Sequence, residues 1–465
     1  MLYISTRGQA TPLGFKEAVL SGLASDGGLY IPENYPLLSE EEMESLEGLD
    51  YVNLAFNIMR KFIGPEISDP ELFQTINTSY GSFGKGNFCP TLSIDNNEYL
   101  LELYHGPTLA FKDFAMQFIG NLFELFLSKE SKRLTIVTAT SGDTGSAAVE
   151  AFKGKQQVDL YVLFPEGRIS DMQRLQITTS TDSNIFPIAI RGDFDDCQRM
   201  VKELFRDEVF RHEVHLSAVN SINWARILAQ TVYYFKSTFS IASYRDGVNF
   251  SVPTGNFGDI YAGYVAKKMG LPINKLIIAS NQNDILQRTL KTGVYDKKNV
   301  TATIAPSMDI QVSSNFERLL FDLFEGNQIE VCRLMNELLK NNSFKLNDKS
   351  LKNFRENFYG GSGNDQELKE EISFFYENFN KIICPHTAAG TRIARQYLKK
   401  SPETPMISLA TAHPSKFNNV IDKVLDLQVK IPSRLKRLLD LEENFDVLAD
   451  DVEQLKQVIL DGKLS

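Results

Sequence analysis

Residues 134–151 read LTIVTATSGDTGSAAVEA and contain the three parts of a βα unit. The first part, LTIVTA, is a short apolar and β-branched run with the length of a buried strand. TSGDTG follows as a glycine-containing turn, and the small residues SAAVEA continue as a helix. A strand that leads through a tight turn into a helix is the repeating unit of parallel sheets. The stretch therefore predicts an α/β fold.

The same alternation recurs along the rest of the chain. Helical stretches such as 195–207 and 258–269 separate short runs rich in β-branched residues. These strand-like runs lie at 158–164, 186–190, 248–252, 275–280 and 406–410. We therefore predict mostly parallel sheets. Ligands bind such sheets where strands end and helices begin, because helix N-termini point unpaired N–H groups outward there.

Length, charge and cysteine content narrow the class of protein. A chain of 465 residues exceeds what one hydrophobic core usually supports, so several domains are expected. A net charge of -10 with no long basic run argues against nucleic acid or an anionic membrane as a partner. The four cysteines are far apart and form no CxxC pair, which predicts reduced thiols.

The sequence also predicts a cytoplasmic location. Its first residues, MLYISTRGQATPLGF, have neither the apolar region of a signal peptide nor the Arg- and Ser-rich pattern of a transit peptide. No apolar run reaches the length that spans a bilayer. We expect a protein with no membrane partner that is a monomer or a homodimer.

Composition shifts indicate where domains begin and end. The glycine-rich stretch 81–87 predicts the end of a first region. A second polar stretch, 340–370, is typical of a surface excursion with little functional content. We predict an N-terminal domain at 1–90, a small α/β domain at 91–220, a large α/β domain at 221–430 and a C-terminal tail at 431–465.

The turn at 140–145 is the first candidate binding loop. Its glycines let the backbone approach a ligand closely, and the helix that follows offers N–H groups and a partial positive charge. These features suit a carboxylate or a phosphate. They equally suit an ordinary helix start at which Ser141 or Thr144 caps the first turn. The turn alone does not decide between the two.

The second candidate loop, Pro253–Asp259, follows the run 248–252 and leads into the helical stretch 258–269. This order of strand, glycine-rich turn and helix is again that of a phosphate cradle. Many βα connections need glycine for backbone reasons alone, so one such turn is weak support and two are more telling. Neither loop has the Walker A or the dinucleotide-binding spacing, which argues against a nucleotide ligand.

Lys112 lies at the start of an amphipathic helix whose apolar residues recur at helical spacing. Its neighbours Phe111 and Phe114 predict a poorly hydrated site. Desolvation lowers the pKa of a lysine, which the amine needs in order to attack an aldehyde near neutral pH. A lysine taken without its context is more often a solvated surface charge. The sequence around Lys112 therefore has to decide between a reactive amine and a solvated surface charge.

That surrounding sequence, HGPTLAFKDF at 105–114, resembles the cofactor-lysine segment of the threonine synthases. The loop 141–145 resembles the family's substrate loop, and 255–259 resembles its cofactor-phosphate loop. The resemblance extends over nearly the whole chain through 13–32, 220–226 and 411–417. It implies the tryptophan-synthase β-like fold of pyridoxal-phosphate enzymes, with two parallel-sheet α/β domains. The spacing is that of the longer class, which has an additional N-terminal domain.

The resemblance also implies the reaction and the cofactor. Threonine synthases use pyridoxal 5'-phosphate to convert O-phospho-L-homoserine and water into L-threonine and phosphate. Lys112 is expected to form the Schiff base with the cofactor and to move protons at Cα and Cβ as general base and acid. The γ-phosphate is eliminated before water adds at Cβ. The chain is thus expected to be a carbon–oxygen lyase.

Further site residues follow from the same resemblance. Those implied for the cofactor are Lys112, Gly255, Asn256, Phe257, Gly258 and Thr411, with Thr411 on the pyridine nitrogen. Those implied for the substrate are Ser141, Asp143, Thr144, Arg168, Ser221, Asn223 and Arg226. The two arginines are candidates for the substrate phosphate, although either could form a surface ion pair instead. Related folds often have asparagine in place of Asp143, beside the cofactor's phenolic oxygen, whereas an ionised carboxylate only accepts hydrogen bonds.

Two alternatives stay open from the sequence. A phospholyase related to the threonine synthases would share the cofactor and the lysine but act on another phosphorylated amino alcohol. A non-catalytic relative would keep the fold for binding, although intact Lys112, Gly255 and Gly258 argue against it. The histidines in the motifs are interpreted as packing groups, because Lys112 can move both protons. No cluster of ligand residues has metal-site spacing, so no metal is predicted.

Overall fold

The computed structural model describes residues 1–84, 86–130 and 132–462. Its strands are β1 (Tyr3–Ser5), β2 (Tyr30–Pro32), β3 (Thr91–Asp95), β4 (Glu98–Glu102), β5 (Leu134–Ala139), β6 (Val158–Pro165), β7 (Ile185–Ile190), β8 (Leu216–Ser217), β9 (Val248–Pro253), β10 (Ile273–Ser280), β11 (Val294–Asp296), β12 (Ser343–Lys345), β13 (Phe358–Ser362), β14 (Met406–Ala410) and β15 (Asp446–Leu448).

The α-helices alternate with these strands through most of the chain. They are α1 (Phe15–Ser21), α2 (Glu40–Leu46), α3 (Tyr51–Ile63), α4 (Asp69–Gly81), α5 (Lys112–Glu130), α6 (Asp143–Phe152), α7 (Asp171–Thr178), α8 (Phe194–Arg206), α9 (Glu208–Glu213), α10 (Trp224–Thr238), α11 (Gly258–Lys268), α12 (Ile285–Thr292), α13 (Phe316–Leu323), α14 (Gln328–Asn341), α15 (Asp348–Asn357), α16 (Asp365–Phe379), α17 (Pro385–Leu398), α18 (Asn418–Leu425), α19 (Ser433–Lys436) and α20 (Val452–Gly462). Among the described residues, no helix combines the length and the apolar character that crossing a membrane requires.

One parallel sheet, which we call the small sheet, has the strand order β15-β7-β6-β5-β8. All of its neighbouring strands run parallel. β6 is buried along its whole length, as is usual for a parallel strand covered on both faces. Because β5 and β8 are neighbours, the loops that follow them, 140–142 and 218–223, emerge at the same edge.

The other main sheet, the large sheet, has the order β13-β10-β9-β14-β4-β3. Its strands are parallel except for the antiparallel hairpin of β3 and β4. β9, β14 and β4 are consecutive neighbours, so their carboxyl ends lie side by side. The loops after these strands, 254–257, 411–413 and 103–111, are therefore brought together at one edge of the sheet.

The main hydrophobic core joins the N-terminal region to both sheets. α10 packs against α3, α5 and α11, and nearly all of its residues are buried. The ring of Trp224, at its first position, lies 5.9 Å from the rings of both Tyr3 and Phe62. The N-terminal helices thus pack against α5 and α10. These two helices carry residues of the site.

The α/β fold with parallel sheets and an N-terminal domain is confirmed. All of the strand-like runs become strands, namely β5, β6, β7, β9, β10 and β14. The helical stretches 195–207 and 258–269 correspond to α8 and α11 within one residue at each end. Length and β-branched composition sufficed because each of these strands is buried, which is the environment that such runs signal.

The stretch 340–370 differs from its prediction as a surface excursion. It contains β13, which pairs in parallel with β10 at the edge of the large sheet. Gly361 in this strand packs so closely that an added Cβ would lie 2.7 Å from the side chain of Ile393. Glycine here permits close packing of α17 on the strand, whereas in the sequence it suggests a loop.

The sheets also cut across the predicted domain boundaries. β3 and β4 fall within the predicted small domain at 91–220, yet they pair in the large sheet. β15 falls within the predicted C-terminal tail, yet it adds a parallel strand to the small sheet beside β7. Which sheet a strand joins depends on its pairing with strands far away in the sequence. Local composition carries no information about that pairing. Lys85 in the predicted boundary stretch and residues 463–465 of the tail lie outside the described residues.

Glu98 makes the stability of the fold depend on pH. Its side chain is buried at the start of β4, and Oε1 has no hydrogen-bond partner among the described residues. Burial raises the pKa of Glu98 from 4.5 to about 7, and Arg395 opposes the rise only in part. The folded protein thus holds this proton more tightly than the unfolded chain, so the free energy of unfolding falls as pH rises from about 4.5 to about 7.

We expect Glu98→Gln to be more stable than the wild type at pH 8, by about 2–3 kcal/mol, with the difference shrinking toward pH 4. Urea unfolding at several pH values measures it. Asp95→Asn removes an exposed carboxyl in the same hairpin, and as the control it should change the free energy of unfolding by less than about 0.5 kcal/mol. A Glu98→Gln difference that is constant with pH would contradict the assignment.

Candidate active site

Lys112 is the first residue of α5 and lies at the convergent edge of the large sheet. Its side chain is buried, and Nζ lies 5.0 Å from the centre of the Phe111 ring. Burial lowers the pKa of Lys112, while Asp143 opposes this shift and the cations of Arg226 and Lys416 add to it. The amine therefore loses its proton more readily than a solvated lysine does, which a nucleophile requires.

Backbone hydrogen bonds fix Lys112 beside the end of β14. The N–H of Phe111 donates to the carbonyl of Thr411 at 2.8 Å, and the N–H of His413 donates to the carbonyl of Leu109 at 3.0 Å. Leu109 has a φ of 60°, a left-handed conformation that is costly for a leucine. The loop is thus held in a strained shape that puts Thr411 next to the lysine segment.

The loop after β5 has the geometry of a small anion site. Thr140 Oγ1 accepts the N–H groups of Gly142 and Gly145 at 2.9 and 2.8 Å, which folds the loop tightly onto the start of α6. Gly142 has a φ of 134°, a region that disfavours other residues. Ser141 and Thr144 are partly exposed, and both lie at the N-terminus of α6, where backbone N–H groups are unpaired.

Asp143, the first residue of α6, lies between two lysines. Its Oδ1 is 2.7 Å from Lys416 Nζ and accepts from Gln173 Nε2 at 2.9 Å, while its Oδ2 is 3.7 Å from Lys112 Nζ. Burial alone would raise the pKa of Asp143, but Lys416, Lys112 and the hydrogen bond from Gln173 together outweigh it and hold the pKa below its usual range. Asp143 is therefore a buried, ionised carboxylate.

The loop after β9 leads into α11 through a left-handed residue, Phe257, with a φ of 64°. Gly255 lies against the chain at 307, where an added Cβ would be 2.4 Å from a carbonyl oxygen. The carbonyl of Asn256 accepts from both the backbone and the side-chain amide of Asn315 at 3.0 Å. The first N–H groups of α11, which begins at Gly258, have no partner within the helix and are available to an anion.

The segment 220–226 places a buried cation, the guanidinium of Arg226, near Lys112. Arg226 in α10 is 4% exposed, and Nη1 donates to the carbonyl of Val219 at 3.2 Å. Its Nε has no partner, and no carboxylate pairs with it in the part of the chain that the structure describes. Burial lowers the pKa of Arg226 to about 10, so the guanidinium remains charged near neutral pH. An anion is the partner that such a group lacks.

Three other predicted substrate residues have different surroundings. Ser221 is partly buried, and its hydroxyl lies 3.3 Å from that of Ser314. Asn223 uses both ends of its amide inside the protein: Oδ1 accepts the N–H of Ala225 as the cap of α10, and Nδ2 donates to the carbonyl of Val19. Arg168 is exposed in the turn after β6. Of the two candidate arginines, only Arg226 is thus brought to the buried edge beside Lys112.

Two histidines of the motifs, His386 and His413, are poor proton carriers near neutral pH. Burial lowers the pKa of His386 and of His413 to about 4, so both rings are neutral. His386 accepts the N–H of Ser307, and His413 contacts Ser415. No group of three or more potential metal ligands is found within 1–84, 86–130 and 132–462.

Sequence reasoning missed the partners that hold these groups. Lys416 belongs to the motif at 411–417, but nothing in the motif says that its side chain is completely buried. Gln173 reaches Asp143 from α7. Arg318 is fully buried, and it donates to the carbonyls of Tyr30 and Ile222 and to the side chain of Asn315. The one available signal is that Lys416 directly precedes Phe417 and lies two residues after Pro414.

The described residues fit a phosphorylated aldehyde cofactor. A desolvated amine lies beside the hydroxyl-bearing end of β14, and the glycine-rich loop opens α11 at the same sheet edge. Arg226 is an orphaned buried cation nearby. The groups offered are therefore one amine for the aldehyde and two separate places for anions, at α11 and at Arg226 with the start of α6.

Known proteins resemble this chain along nearly its whole length. Family models match three consecutive parts of the chain: threonine synthase N terminus at 2–80, pyridoxal-phosphate dependent enzyme at 89–343, and threonine synthase, C-terminal, at 387–459. Threonine synthase from Pseudomonas aeruginosa is 45% identical over 99% of this chain and 98% of its own length.

Solved structures agree over the same length. The crystal structure of PLP-bound threonine synthase from Brucella melitensis has a TM-score of 0.96 with 44% identity, and covers 100% of both chains. The structure of threonine synthase from yeast has a TM-score of 0.94 with 40% identity, covering 100% of this chain and 99% of its own. The chain therefore belongs to the threonine synthase family of pyridoxal-phosphate-dependent enzymes.

Proposed function

We propose that this enzyme converts O-phospho-L-homoserine and water into L-threonine and inorganic phosphate at the site around Lys112. The observation that carries the proposal is the meeting of a desolvated amine with two separate anion sites. One anion site is needed for the phosphate of the cofactor. The second combines the start of α6 with Arg226, and so offers separate partners for the carboxylate and the phosphate of a phosphorylated amino acid.

We assign the binding of the cofactor to residues in loops of the large sheet. The backbone of Gly255, Asn256, Phe257 and Gly258, with the N-terminus of α11, would hold the phosphate of pyridoxal phosphate. Thr411 would offer its hydroxyl to the ring nitrogen. When bound, the pyridoxal ring supplies an electron sink for charge that develops on the substrate.

Lys112 is assigned both proton transfers, at Cα and at Cβ. Its burial favours the neutral amine, which is the form that accepts a proton. The neighbouring rings of His386 and His413 have pKa values of about 4 and do not compete for this role. Phe111 beside the amine limits the access of bulk water, which helps to keep protons from leaking to solvent.

The substrate is assigned to the other side of the amine. Ser141, Thr144 and the N-terminus of α6 would hold its carboxylate, and Arg226 with Ser221 would hold its phosphate. Asn223 would shape this corner as the cap of α10 and not as a ligand, because its amide is already hydrogen-bonded. Arg168 is not part of this arrangement, because it is exposed.

Product analysis tests the proposal. Purified protein supplied with pyridoxal phosphate and O-phospho-L-homoserine should release phosphate and threonine in equal amounts. A phospholyase would instead release phosphate with 2-oxobutanoate and without threonine, and a non-catalytic relative would release neither. Either result would overturn the proposal.

Location and assembly belong to the proposal as well. All four cysteines are free, and three of them are buried, which suits a reducing compartment. We infer a cytoplasmic enzyme that acts as a monomer or a homodimer on a small-molecule substrate, with neither nucleic acid nor a membrane as a partner.

A further inference from the structure

Lys416 is a second buried lysine in the site, and it has no part in the roles assigned above. Its side chain has no solvent exposure. Its ammonium group lies 2.7 Å from Asp143 Oδ1 and donates to the carbonyl of Thr108 at 3.0 Å. A fully buried lysine is rare and costly unless its charge is paired, so this arrangement calls for a reason beyond packing.

The two lysines do not share Asp143 equally. Lys416 holds one carboxylate oxygen at hydrogen-bond distance, while Lys112 is 3.7 Å from the other oxygen. A good hydrogen bond to a carboxylate is shorter than about 3.2 Å, so Lys112 is near the charge but not bonded to it. Lys416 therefore takes the contact that Lys112 would otherwise make.

Contacts from several segments keep Asp143 bonded to Lys416 and not to Lys112. Lys416 joins Thr108, in the loop before Lys112, to Asp143, in the loop of the small sheet. Gln173 donates to the same oxygen of Asp143 that Lys416 contacts, and its side chain fills the space that a Cβ on Gly142 would need. The carboxylate therefore cannot turn toward Lys112 without losing both donors.

We propose that Lys416 is a positioning residue that draws Asp143 away from Lys112 and so leaves the Lys112 nitrogen free to give up its proton. The inference rests on the proposed function, in which Lys112 must act as a base, and it adds a residue that governs that base. The remaining charged or titratable groups around Lys112 are Asp259, Arg226 and His386.

The proposal fixes the signs of two substitutions. Lys416→Met frees Asp143 to pair with Lys112 and removes a repelling cation, so protonation of the Lys112 nitrogen becomes easier. Asp143→Asn removes the attracting charge, so protonation becomes harder. A merely structural role for the pair would disturb Lys112 in the same way in both variants. Opposite shifts are the signature of an electrostatic role.

A pH titration of the full-length holoenzyme, followed by the visible absorbance of the cofactor bound through Lys112, measures these shifts without turnover. The midpoint should rise by about one pH unit or more in Lys416→Met and fall by a similar amount in Asp143→Asn. Lys416→Arg keeps the charge and should restore the wild-type midpoint. Gln173→Leu removes another hydrogen bond to the same oxygen without a change of charge, and should move the midpoint much less.

The proposal is overturned if the Lys416→Met midpoint is unchanged or lower, or if Gln173→Leu moves it as far. If Lys416→Met does not fold, Asp143→Asn still decides, because an unchanged or higher midpoint would refute the pairing. These outcomes are separate from the proposed function. The titration needs only bound cofactor, whereas the proposed function is refuted by the identity of the reaction products.

Discussion

Replacing Lys112 with alanine is expected to lower kcat by at least about 10³-fold and to remove the visible absorbance of the bound cofactor. No other amine in the described site can substitute, because Lys416 is fully buried and paired with Asp143. Lys112→Arg keeps a cation but offers no nucleophilic amine, and should be equally inactive. The measurements are steady-state phosphate release and the absorption spectrum of the reconstituted protein.

Lys267→Ala is the matched control for this prediction. Burial lowers the pKa of Lys267 as it does that of Lys112, but Lys267 lies at the far end of α11 and donates to the carbonyl of Asn274. We expect kcat and absorbance within a factor of about two of the wild type, since surface changes away from a site have small effects. Activity within about tenfold of wild type in Lys112→Ala would refute the role of Lys112.

Replacing Arg226 with methionine is expected to raise KM for O-phospho-L-homoserine by about 100-fold or more and, at the same time, to raise Tm. The kinetic loss follows from removal of a charge-assisted contact to the substrate phosphate, worth about 3 kcal/mol. The gain in stability follows because an unpaired buried cation is costly, and an apolar side chain of similar length fills its place.

Arg168→Met distinguishes a specific contact at Arg226 from a general need for positive charge. Arg168 is exposed, so its loss should change neither KM nor Tm appreciably. A purely structural role for Arg226 predicts a lower Tm in Arg226→Met, whereas a role in holding the substrate phosphate predicts a higher one. A destabilised Arg226→Met variant with unchanged KM would therefore contradict the phosphate-binding role.

The strand-end loops of the candidate site could be proposed from the sequence. Ligands bind parallel sheets at the carboxyl ends of strands, so the loops at 140–145 and 255–258 were candidates, and the resemblance linked them to Lys112. The strand-like runs succeeded for the same reason, because buried parallel strands have a composition that differs from that of their surroundings. Thr411 directly follows such a strand, and its role on the ring nitrogen, which the resemblance implies, stays a prediction.

Other parts could not be predicted because they depend on contacts between distant segments. Nothing near Lys416 or Gln173 in the sequence shows that both reach Asp143. Asn223 was taken for a substrate ligand, but an asparagine before a helix is also a good cap, and only the folded structure reveals that its amide is already occupied. β13 was missed because its glycines resemble those of a loop.

The most direct test of the proposed reaction is to run it with O-phospho-L-homoserine in water enriched in heavy oxygen. A lyase breaks the bond between the γ-carbon and oxygen and then adds water at Cβ. We therefore predict heavy oxygen in the hydroxyl of threonine and none in the phosphate released by the enzyme. Heavy oxygen in the phosphate, with homoserine as the product, would show hydrolysis at phosphorus and would contradict the proposed elimination.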